Sequence, residues 1–310
     1  MGRFEPYLDA EDLSACVEAG DSPASLDARA RPLGCTFPLW LDPRQPFGDL
    51  FTSVRATPRG FRYGSVGDNV LGLDWRLPNG VELRLGGRVV KNVTGFDFIR
   101  FLNAGGRRFG APLRLVLRLR PLAEAELNLR LRAPSGAGPE GWDALQRAAR
   151  LVRGGSWAHS LDACDLHATA QGAFLHLSFR AQAALLPLFQ AEAEGWARGC
   201  GLDCDTAAEA PDGQAHPWAR AKAPLDDCIG LARDWVLTHG GGVHAFLGQG
   251  VLQLQDPVGP EAMLETALRE LHARLGAQGG HVEHPSLVPD PDAPQARWQA
   301  ELLRRLEAVA

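Results

Sequence analysis

The segment His239-Gly240-Gly241-Gly242-Val243-His244 combines a residue type and a backbone freedom that acid–base or anion-binding chemistry needs. Histidine is the usual general base near neutral pH, because its imidazole changes protonation state in that range. Three consecutive glycines leave the backbone N–H groups open to an anion. We prefer the alternative, a flexible turn that leads into a strand, and the sequence assigns no catalytic base.

A second group of residues has the spacing of metal ligands. Cys200 and Cys204 are separated by three residues, which lies within the range of zinc sites, and Cys164, His167 and His216 are near in the sequence. No second clean pair follows, and the closely spaced cysteines of an iron–sulfur cluster are absent from the sequence. We therefore predict free thiols and no metal.

Charge and composition restrict the classes of partner. The chain has 310 residues with a formal net charge of −5 at pH 7, so no global positive field attracts nucleic acid or anionic lipid. The sequence has no run of the roughly 20 apolar residues that a membrane-spanning helix needs. Its six cysteines are scattered through a large chain, which is typical of reduced thiols, and we expect a cytoplasmic protein.

The first third of the chain is rich in turns and short strands. Two apolar runs around Pro78-Asn79-Gly80 predict a β-hairpin over residues 68–85, because Asn-Gly readily adopts positive φ. Apolar residues within 98–102 have the spacing of a short buried helix. Residues 113–119 alternate strictly, which predicts a strand with leucines on one face, arginines on a solvated or partner-facing side, and Pro121 at its end.

From about Glu124 a second pattern begins. We predict strands at 127–131, 160–168, 173–180 and 250–255, and helices at 142–152 and 182–198, the latter stopping at Gly199. The order β-α-β-β-α with a later strand is the ferredoxin-like pattern. No internal repeat is visible in the sequence.

Three runs of residues between positions 61 and 121 carry a resemblance to a known family. In chain order they are Arg62-Tyr63-Gly64, Asp68-Asn69-Val70-Leu71-Gly72 and Gly86-Gly87-Arg88-Val89-Val90-Lys91-Asn92-Val93-Thr94-Gly95-Phe96-Asp97, followed by a strand that ends in Arg120-Pro121. Together they resemble the flavin-binding domain of the vanillyl-alcohol oxidase (VAO) / p-cresol methylhydroxylase (PCMH) family. Within it, the chain looks like the E subunit of bacterial glycolate oxidase, and 243–250 resembles a late strand of these subunits.

The resemblance implies an α+β fold in two parts. Residues 1–123 are expected to form a truncated PCMH-type FAD-binding domain, of which the second subdomain is present, and residues 124–310 a ferredoxin-like cap and C-terminal region. In the family the cap walls the substrate side of the flavin. The implied cofactor is FAD, and the positions expected to contact it are Gly48, Ser53, Gly106 and Gly110.

The sequence departs from the family pattern at the expected flavin site. The subdomain whose glycine-rich loop holds the pyrophosphate has no counterpart in the sequence. Asp49 stands where the family has a glycine, and would bring a negative charge towards an anionic cofactor; Arg107 likewise replaces a glycine. We expect the truncation to uncover an apolar face over residues 37–51 that a partner or a second copy would cover.

Two functions follow from the resemblance. The first is a subunit of a glycolate-oxidase-like, flavin-dependent 2-hydroxy-acid oxidoreductase complex, with a D-type flavoprotein subunit and an iron–sulfur subunit as partners. The second is an FAD-less scaffold subunit that binds a catalytic flavoprotein. A glycine-rich loop in a continued reading frame upstream would favour the enzyme.

Overall fold

The computed structural model describes residues 3–53, 56–87, 98–134, 138–155, 160–207, 217–284, 286–287 and 294–307, with the backbone alone for 104–106, 294–296 and 306–307. Residues 88–97 of the family motif lie outside the described residues, and so does His216. Contacts divide the chain into two units. Unit 1 comprises Met1–Arg55, Tyr63–Leu122 and Val288–Ala310, and unit 2 comprises Ala56–Arg62 and Ala123–Leu287. The predicted domain boundary at residue 123 stays a prediction.

Strands and helices are numbered here in chain order. The strands are β1 (Tyr7–Asp9), β2 (Ser14–Glu18), β3 (Cys35–Thr36), β4 (Val70–Arg76), β5 (Glu82–Gly86), β6 (Ala111–Arg118), β7 (Arg120–Pro121), β8 (Ala125–Arg132), β9 (Leu161–Thr169), β10 (Gly172–Ala181), β11 (Asp203–Thr206), β12 (Ala219–Lys222), β13 (Gly242–Phe246), β14 (Val251–Gln255) and β15 (His281–Glu283). The helices are α1 (Pro23–Ala30), α2 (Phe47–Ser53), α3 (Gly60–Tyr63), α4 (Phe98–Gly105), α5 (Pro139–Gly154), α6 (Leu186–Cys200), α7 (Cys228–His239), α8 (Glu261–Gly276) and α9 (Pro294–Glu307). No helix in the described ranges is long and apolar enough to cross a membrane.

Unit 1 is built on an antiparallel sheet in the order β1-β2-β6-β4-β5. The predicted hairpin is confirmed: β4 pairs with β5, and Gly80 adopts a φ of 87° in the turn between them. The predicted helix over 98–102 is confirmed as α4, but it is only partly buried, because Phe98 is exposed while Leu102 lies in the core. One face of the sheet packs against α2 in a core that includes Trp75, Phe51 and Leu115.

Strand β6 occupies the centre of this sheet, and the structure corrects its predicted surroundings. Val116, between the buried Leu115 and Leu117, is also fully buried, because Phe4 covers the second face. The arginine side is therefore half-buried and not fully solvated. Arg114 donates to Glu18 Oε1 at 2.8 Å and to the Phe4 carbonyl oxygen, and burial lowers the pKa of Arg118. Nor does Pro121 end this strand, since it lies in β7, which pairs with β3.

The expected apolar face over residues 37–51 is not exposed. Phe37, Leu39, Phe47 and Phe51 are all buried in the unit 1 core. The Phe37 and Phe47 rings make an edge contact with centroids 5.5 Å apart. The prediction that this segment is uncovered is wrong, because the segment folds inward onto its own sheet. The expected partner or second copy stays a prediction.

Unit 2 consists of two βαββαβ repeats that share one antiparallel sheet. The first repeat runs β8-α5-β9-β10-α6-β11 and the second runs β12-α7-β13-β14-α8-β15. Within the described residues the sheet has eight strands in the order β11-β8-β10-β9-β13-β14-β12-β15, so the repeats meet where β9 pairs with β13. The ferredoxin-like cap is confirmed, but its fourth strand is β11, and residues 250–255 belong to a second repeat that the sequence did not show.

Helices α5 to α8 pack on one face of this sheet. Alternate strand residues such as Leu129, Leu177 and Leu252 point into the core that these helices cover. Helix α6 ends one residue beyond the predicted stop: Gly201 follows it in the left-handed conformation, with φ 76°, and its N–H bonds the carbonyls of the last turn. The remaining strand residues lie on the opposite face, which is the candidate site.

Candidate functional site

The face of the unit 2 sheet opposite the helices, called the polar face below, carries two rows of side chains across all eight strands. Because side chains alternate along a strand, directly paired residues on one face are neighbours. Row one is Asp203, Arg132, Phe174, His167, His244, Gln253, Arg220 and Glu283, and row two is Asp205, Arg130, His176, Asp165, Phe246, Val251, Lys222 and His281. The ends of both rows carry ionisable side chains, whereas the middle contains imidazoles, a carboxyl group and aromatic rings.

The centre of the polar face is a cluster of three histidines and a buried aspartate, called the histidine cluster below. His176 and His244 are buried, and His167 is partly exposed. The His167 and His244 rings lie 3.9 Å apart between centroids, directly opposite each other across the junction of the repeats. His176 makes an edge contact with His167 at 6.4 Å. Asp165 Oδ2 is 3.8 Å from His244 Nε2, and none of Asp165, His176 and His244 is more than 2% exposed.

Burial sets the protonation state of the cluster. It lowers the pKa of His167 to about 4 and that of His176 to about 3, and it lowers the pKa of His244 well below the usual histidine range. Burial also raises the pKa of Asp165 well above the ordinary range of aspartate. At neutral pH the three imidazoles are therefore uncharged, and burial favours the protonated form of the Asp165 carboxyl group.

Several buried polar atoms of the polar face lack a hydrogen-bond partner among the described residues. They are Asp165 Oδ2, His167 Nε2, His176 Nδ1, both ring nitrogens of His244, Gln253 Oε1 and Arg130 Nε. A buried polar atom without a partner costs about 1–3 kcal/mol, so such a concentration marks a place where a ligand or water supplies the missing bonds. These atoms include both donors and acceptors.

Guanidinium groups flank the histidine cluster. The Arg130 guanidinium lies 5.3 Å from the centroid of the Phe174 ring, in a cation–π arrangement. Arg59 pairs with Glu126 at 2.7 Å. The buried Asp162 is held between Arg62, at 3.1 Å, and Arg180. Since Arg130 has no ion-pair partner in the described ranges, it is the cation best placed to attract an anionic ligand.

The structure places two of the predicted flavin-contact residues in α2. Gly48 lies against the sheet, where a Cβ would be 3.0 Å from Ala19 Cβ and 3.2 Å from Pro112 Cγ. The Ser53 hydroxyl donates to the Asp49 carbonyl oxygen at 2.7 Å. Both residues thus have a local role in the packing of unit 1.

The other two predicted residues lie at the ends of a short 3-10 helix near α2. Gly106 begins this 3-10 helix, which runs to Phe109. Gly110 follows it with φ 120°, and a Cβ there would overlap the Arg76 carbonyl oxygen and lie 2.8 Å from Trp75 Nε1. The structure brings the four positions into one region, because α2 contacts this 3-10 helix. Their role in flavin contact stays a prediction.

The two departures from the family pattern in this region pair with each other. Arg107 donates to Asp49 in an exposed ion pair. The charge that Asp49 brings is therefore neutralised by the residue that replaces a family glycine. This pair and the close packing of Gly48 and Gly110 give these positions roles within unit 1 that do not require a flavin.

The other candidates from the sequence have structural explanations. The 239–244 segment is the predicted turn into a strand: it joins α7 to β13, and a Cβ on Gly241 would overlap the Gln255 carbonyl oxygen. Cys200 ends α6 and Cys204 lies in β11. In the described part of the chain, no group of three or more His, Cys, Asp or Glu side chains is arranged to hold a metal ion.

Sequence reasoning missed most of the histidine cluster. Of its members only His244 was considered for acid–base chemistry, and His167 was weighed only as a metal ligand. A signal was present, because Asp165 and His167 on β9, and His176 on β10, occupy the polar positions of two alternating strands joined by a tight turn. Two such strands must present those side chains on one face.

Curated proteins with a similar sequence are named for lactate or glycolate. The chain is 28% identical over 117 residues to the mitochondrial D-lactate dehydrogenase [cytochrome] of Arabidopsis thaliana. It is 28% identical over 126 residues to glycolate oxidase subunit GlcD of Bacillus subtilis (strain 168), and 32% identical over 107 residues to subunit GlcE of Escherichia coli (strain K12). These matches cover 34–39% of this chain and 21–30% of the relatives, so the matched regions span less than a third of each relative. No family model matches the chain.

Solved structures are similar over almost the whole chain. An alkyldihydroxyacetonephosphate synthase matches with a TM-score of 0.66 and 11% identity, covering 98% of this chain and 63% of that one. The VAO-type flavoprotein MtVAO615 of Myceliophthora thermophila C1 matches with a TM-score of 0.67 and 13% identity, covering 96% and 64%. The chain therefore shares the fold of these proteins, one of which is a VAO-type flavoprotein.

Proposed function

We propose that this chain is a subunit of a glycolate-oxidase-like complex that oxidises a small 2-hydroxy acid with FAD. The observation that carries the proposal is that the three relatives reported above are named for lactate or glycolate, which are both 2-hydroxy acids, and that the fold is that of VAO-type flavoproteins. The partners we propose are a D-type flavoprotein subunit and an iron–sulfur subunit.

FAD would supply the acceptor for the electrons removed from the acid. Because the described residues at Gly48, Ser53 and Gly110 serve packing, we propose that a D-type partner holds the flavin more firmly than this chain does. The chemistry assigned to this chain is therefore limited to its own polar face.

The polar face offers what a small hydroxy acid needs. The Arg130 guanidinium would bind the carboxylate, because a planar fork of donors matches two carboxylate oxygens. The uncharged imidazoles of the histidine cluster would bond the hydroxyl group and accept its proton, since neutral imidazole is an effective base. Burial of His176 and His244 keeps bulk water from competing for these bonds.

The alternative is an FAD-less scaffold that holds a catalytic flavoprotein. The ion pair of Asp49 with Arg107, and the close packing of Gly48 and Gly110, favour this alternative, because they use the expected flavin positions for the stability of unit 1. In that case the histidine cluster takes no part in turnover.

The test is to purify the tagged chain from its own organism and to assay what accompanies it. We expect bound flavin, an iron–sulfur protein, and reduction of an artificial electron acceptor by glycolate or D-lactate. A His176→Asn variant of the complex would lower kcat, with the exposed His281→Asn as matched control on the same face.

Three results separate the possibilities. Loss of activity in His176→Asn with normal assembly supports the catalytic role of this chain. Full activity of that variant in an intact complex supports the scaffold. Purification of the chain without flavin and without oxidation of either acid contradicts both.

A further inference from the structure

A short chain of hydrogen bonds on the polar face fixes the orientation of Asn128. Its Nδ2 donates to Glu126 Oε1 at 3.1 Å, and Arg59 holds the other oxygen of Glu126 at 2.7 Å. A carboxylate accepts hydrogen bonds and has none to give, so the amino group of the amide must face Glu126. The carbonyl oxygen of Asn128 therefore faces away from Glu126, towards His176.

This orientation in turn fixes the tautomer of His176. Asn128 Oδ1 is 3.1 Å from His176 Nε2. Since an amide oxygen only accepts, Nε2 carries the hydrogen, and in the neutral ring Nδ1 is left as a bare lone pair. Nδ1 is buried and has no hydrogen-bond partner among the described residues.

The surroundings of His176 oppose a positive charge on it. Arg130 and Asp165 are directly opposite on the neighbouring strands. The positive charges of Arg130 and Arg59 lower the pKa of His176 further than burial alone, and the neighbouring His167 acts in the same direction. The titratable and charged groups that face the cluster from the packed elements are Arg59 and Arg62 from 56–62, Glu126 and Arg130 from β8, Asp162, Asp165 and His167 from β9, Arg180 from β10 and His244 from β13.

We propose that His176 distinguishes a 2-hydroxy acid from the corresponding 2-oxo acid through the hydrogen-bonding character of the oxygen on C2. The hydroxyl group donates to Nδ1 of the neutral ring. A carbonyl oxygen has no hydrogen to give and meets the lone pair of Nδ1, so the 2-oxo acid binds only together with a proton on Nδ1. Both acids have the same carboxylate group, which binds the Arg130 guanidinium.

The test compares the binding of a 2-hydroxy acid with that of the corresponding 2-oxo acid. The choice of these acids rests on the proposed function. D-lactate and pyruvate differ by two hydrogens, and neither is turned over in the isolated chain without an electron acceptor. Calorimetric titration of the full chain should show binding of D-lactate that changes little between pH 6 and pH 8. Pyruvate affinity should fall by up to about tenfold per pH unit, with uptake of about one proton.

Variants assign the effect to His176 and to the residue that orients it. His176→Asn should abolish the pH dependence of pyruvate binding, whereas His281→Asn, which changes an exposed histidine of the same face, should leave it intact. Asn128→Leu should remove the tautomer preference and with it the discrimination between the acids. Circular dichroism checks that each variant is folded.

An independent readout does not depend on the acid. Nitrogen NMR of the chain with labelled histidine should show a protonated Nε2 and an unprotonated Nδ1 for His176, and this pattern should become mixed in Asn128→Leu. A protonated Nδ1 in the free chain would overturn the inference. Equal pH dependence of binding for both acids would overturn this inference but not the proposed function. Failure of the folded chain to bind either acid would overturn the inference and also contradict the proposed substrate class.

Discussion

Substitution of Gly110 tests whether this glycine is needed for packing in the absence of any flavin. The residue has φ 120°, a conformation that costs a residue with a side chain about 1–3 kcal/mol. An alanine Cβ would also overlap the Arg76 carbonyl oxygen and lie 2.8 Å from Trp75 Nε1. Both are held in place, since Trp75 is fully buried and its Nε1 donates to the Phe109 carbonyl oxygen at 2.8 Å.

The expected magnitude follows from these two contributions. Overpacking against backbone typically costs about 1–3 kcal/mol. Added to the conformational cost, this predicts that Gly110→Ala lowers the free energy of unfolding by about 2–6 kcal/mol. Gly80→Ala is the matched control, because Gly80 also has a positive φ, 87°, but no atom lies within 4 Å of the added Cβ. We expect that variant to lose about 1–2 kcal/mol.

The assay is urea denaturation of the flavin-free chain, combined with hydrogen exchange of peptides that cover β4 and β6. Exchange is needed because a chain with two packing units need not unfold in one step. Loss of protection in β4 and β6 should accompany Gly110→Ala. Equal stability of the two alanine variants would refute the packing role of Gly110 and return it to the candidates for flavin contact.

Two further predictions concern unit 2. Asp162→Asn leaves two arginines around a neutral buried amide and should lower the free energy of unfolding by about 3 kcal/mol, whereas Asp205→Asn in an exposed pair should change it by less than about 1 kcal/mol in the same urea titration. Acidification should also destabilise the chain, because the pKa values of about 4 for His167 and about 3 for His176 leave both unprotonated in the folded chain while the unfolded chain, with histidine pKa near 6.5, binds protons below that pH. The lowered pKa of His244 acts in the same direction, and the raised pKa of Asp165 acts in the opposite direction. His167 and His176 alone predict a loss of about 3 kcal/mol from pH 6.5 to pH 5, and a free energy of unfolding that stays constant over this range would contradict the burial of the cluster.

Local patterns in the sequence predicted the elements whose signal is contained in one segment. The Asn79-Gly80 turn specified its hairpin through backbone conformation. Strict alternation specified β6, but it could not show that Phe4 covers the second face, because that contact joins residues more than a hundred positions apart. Burial of Val116 therefore depends on tertiary structure.

The second repeat of unit 2 escaped prediction for a similar reason. Strands β11, β12 and β15 have only three or four residues each, too few for an alternating pattern to stand out. They are stabilised by pairing with longer strands and by the helices packed behind them. The histidine cluster depends on this topology, because His167 and His244 meet only where the two repeats join.

A glycine at the expected flavin site can serve either the packing of the chain or contact with a cofactor. At Gly48 and Gly110 the missing side chain makes room for the chain itself. Sequence alone could not separate this role from contact with a cofactor, since both require a bare backbone. Similarly, Asp49 and Arg107 were read separately, and only the structure shows that they form a pair.

The most direct test of the central claim is anaerobic addition of glycolate or D-lactate to the complex purified through this chain, with the flavin absorbance recorded. We expect either acid to bleach the flavin, and the complex carrying His176→Asn to bleach more slowly at saturating acid. Flavin that stays oxidised with both acids would contradict a role in 2-hydroxy-acid oxidation. Equal rates with and without the His176 imidazole would assign the chemistry to the partner and leave this chain as its scaffold.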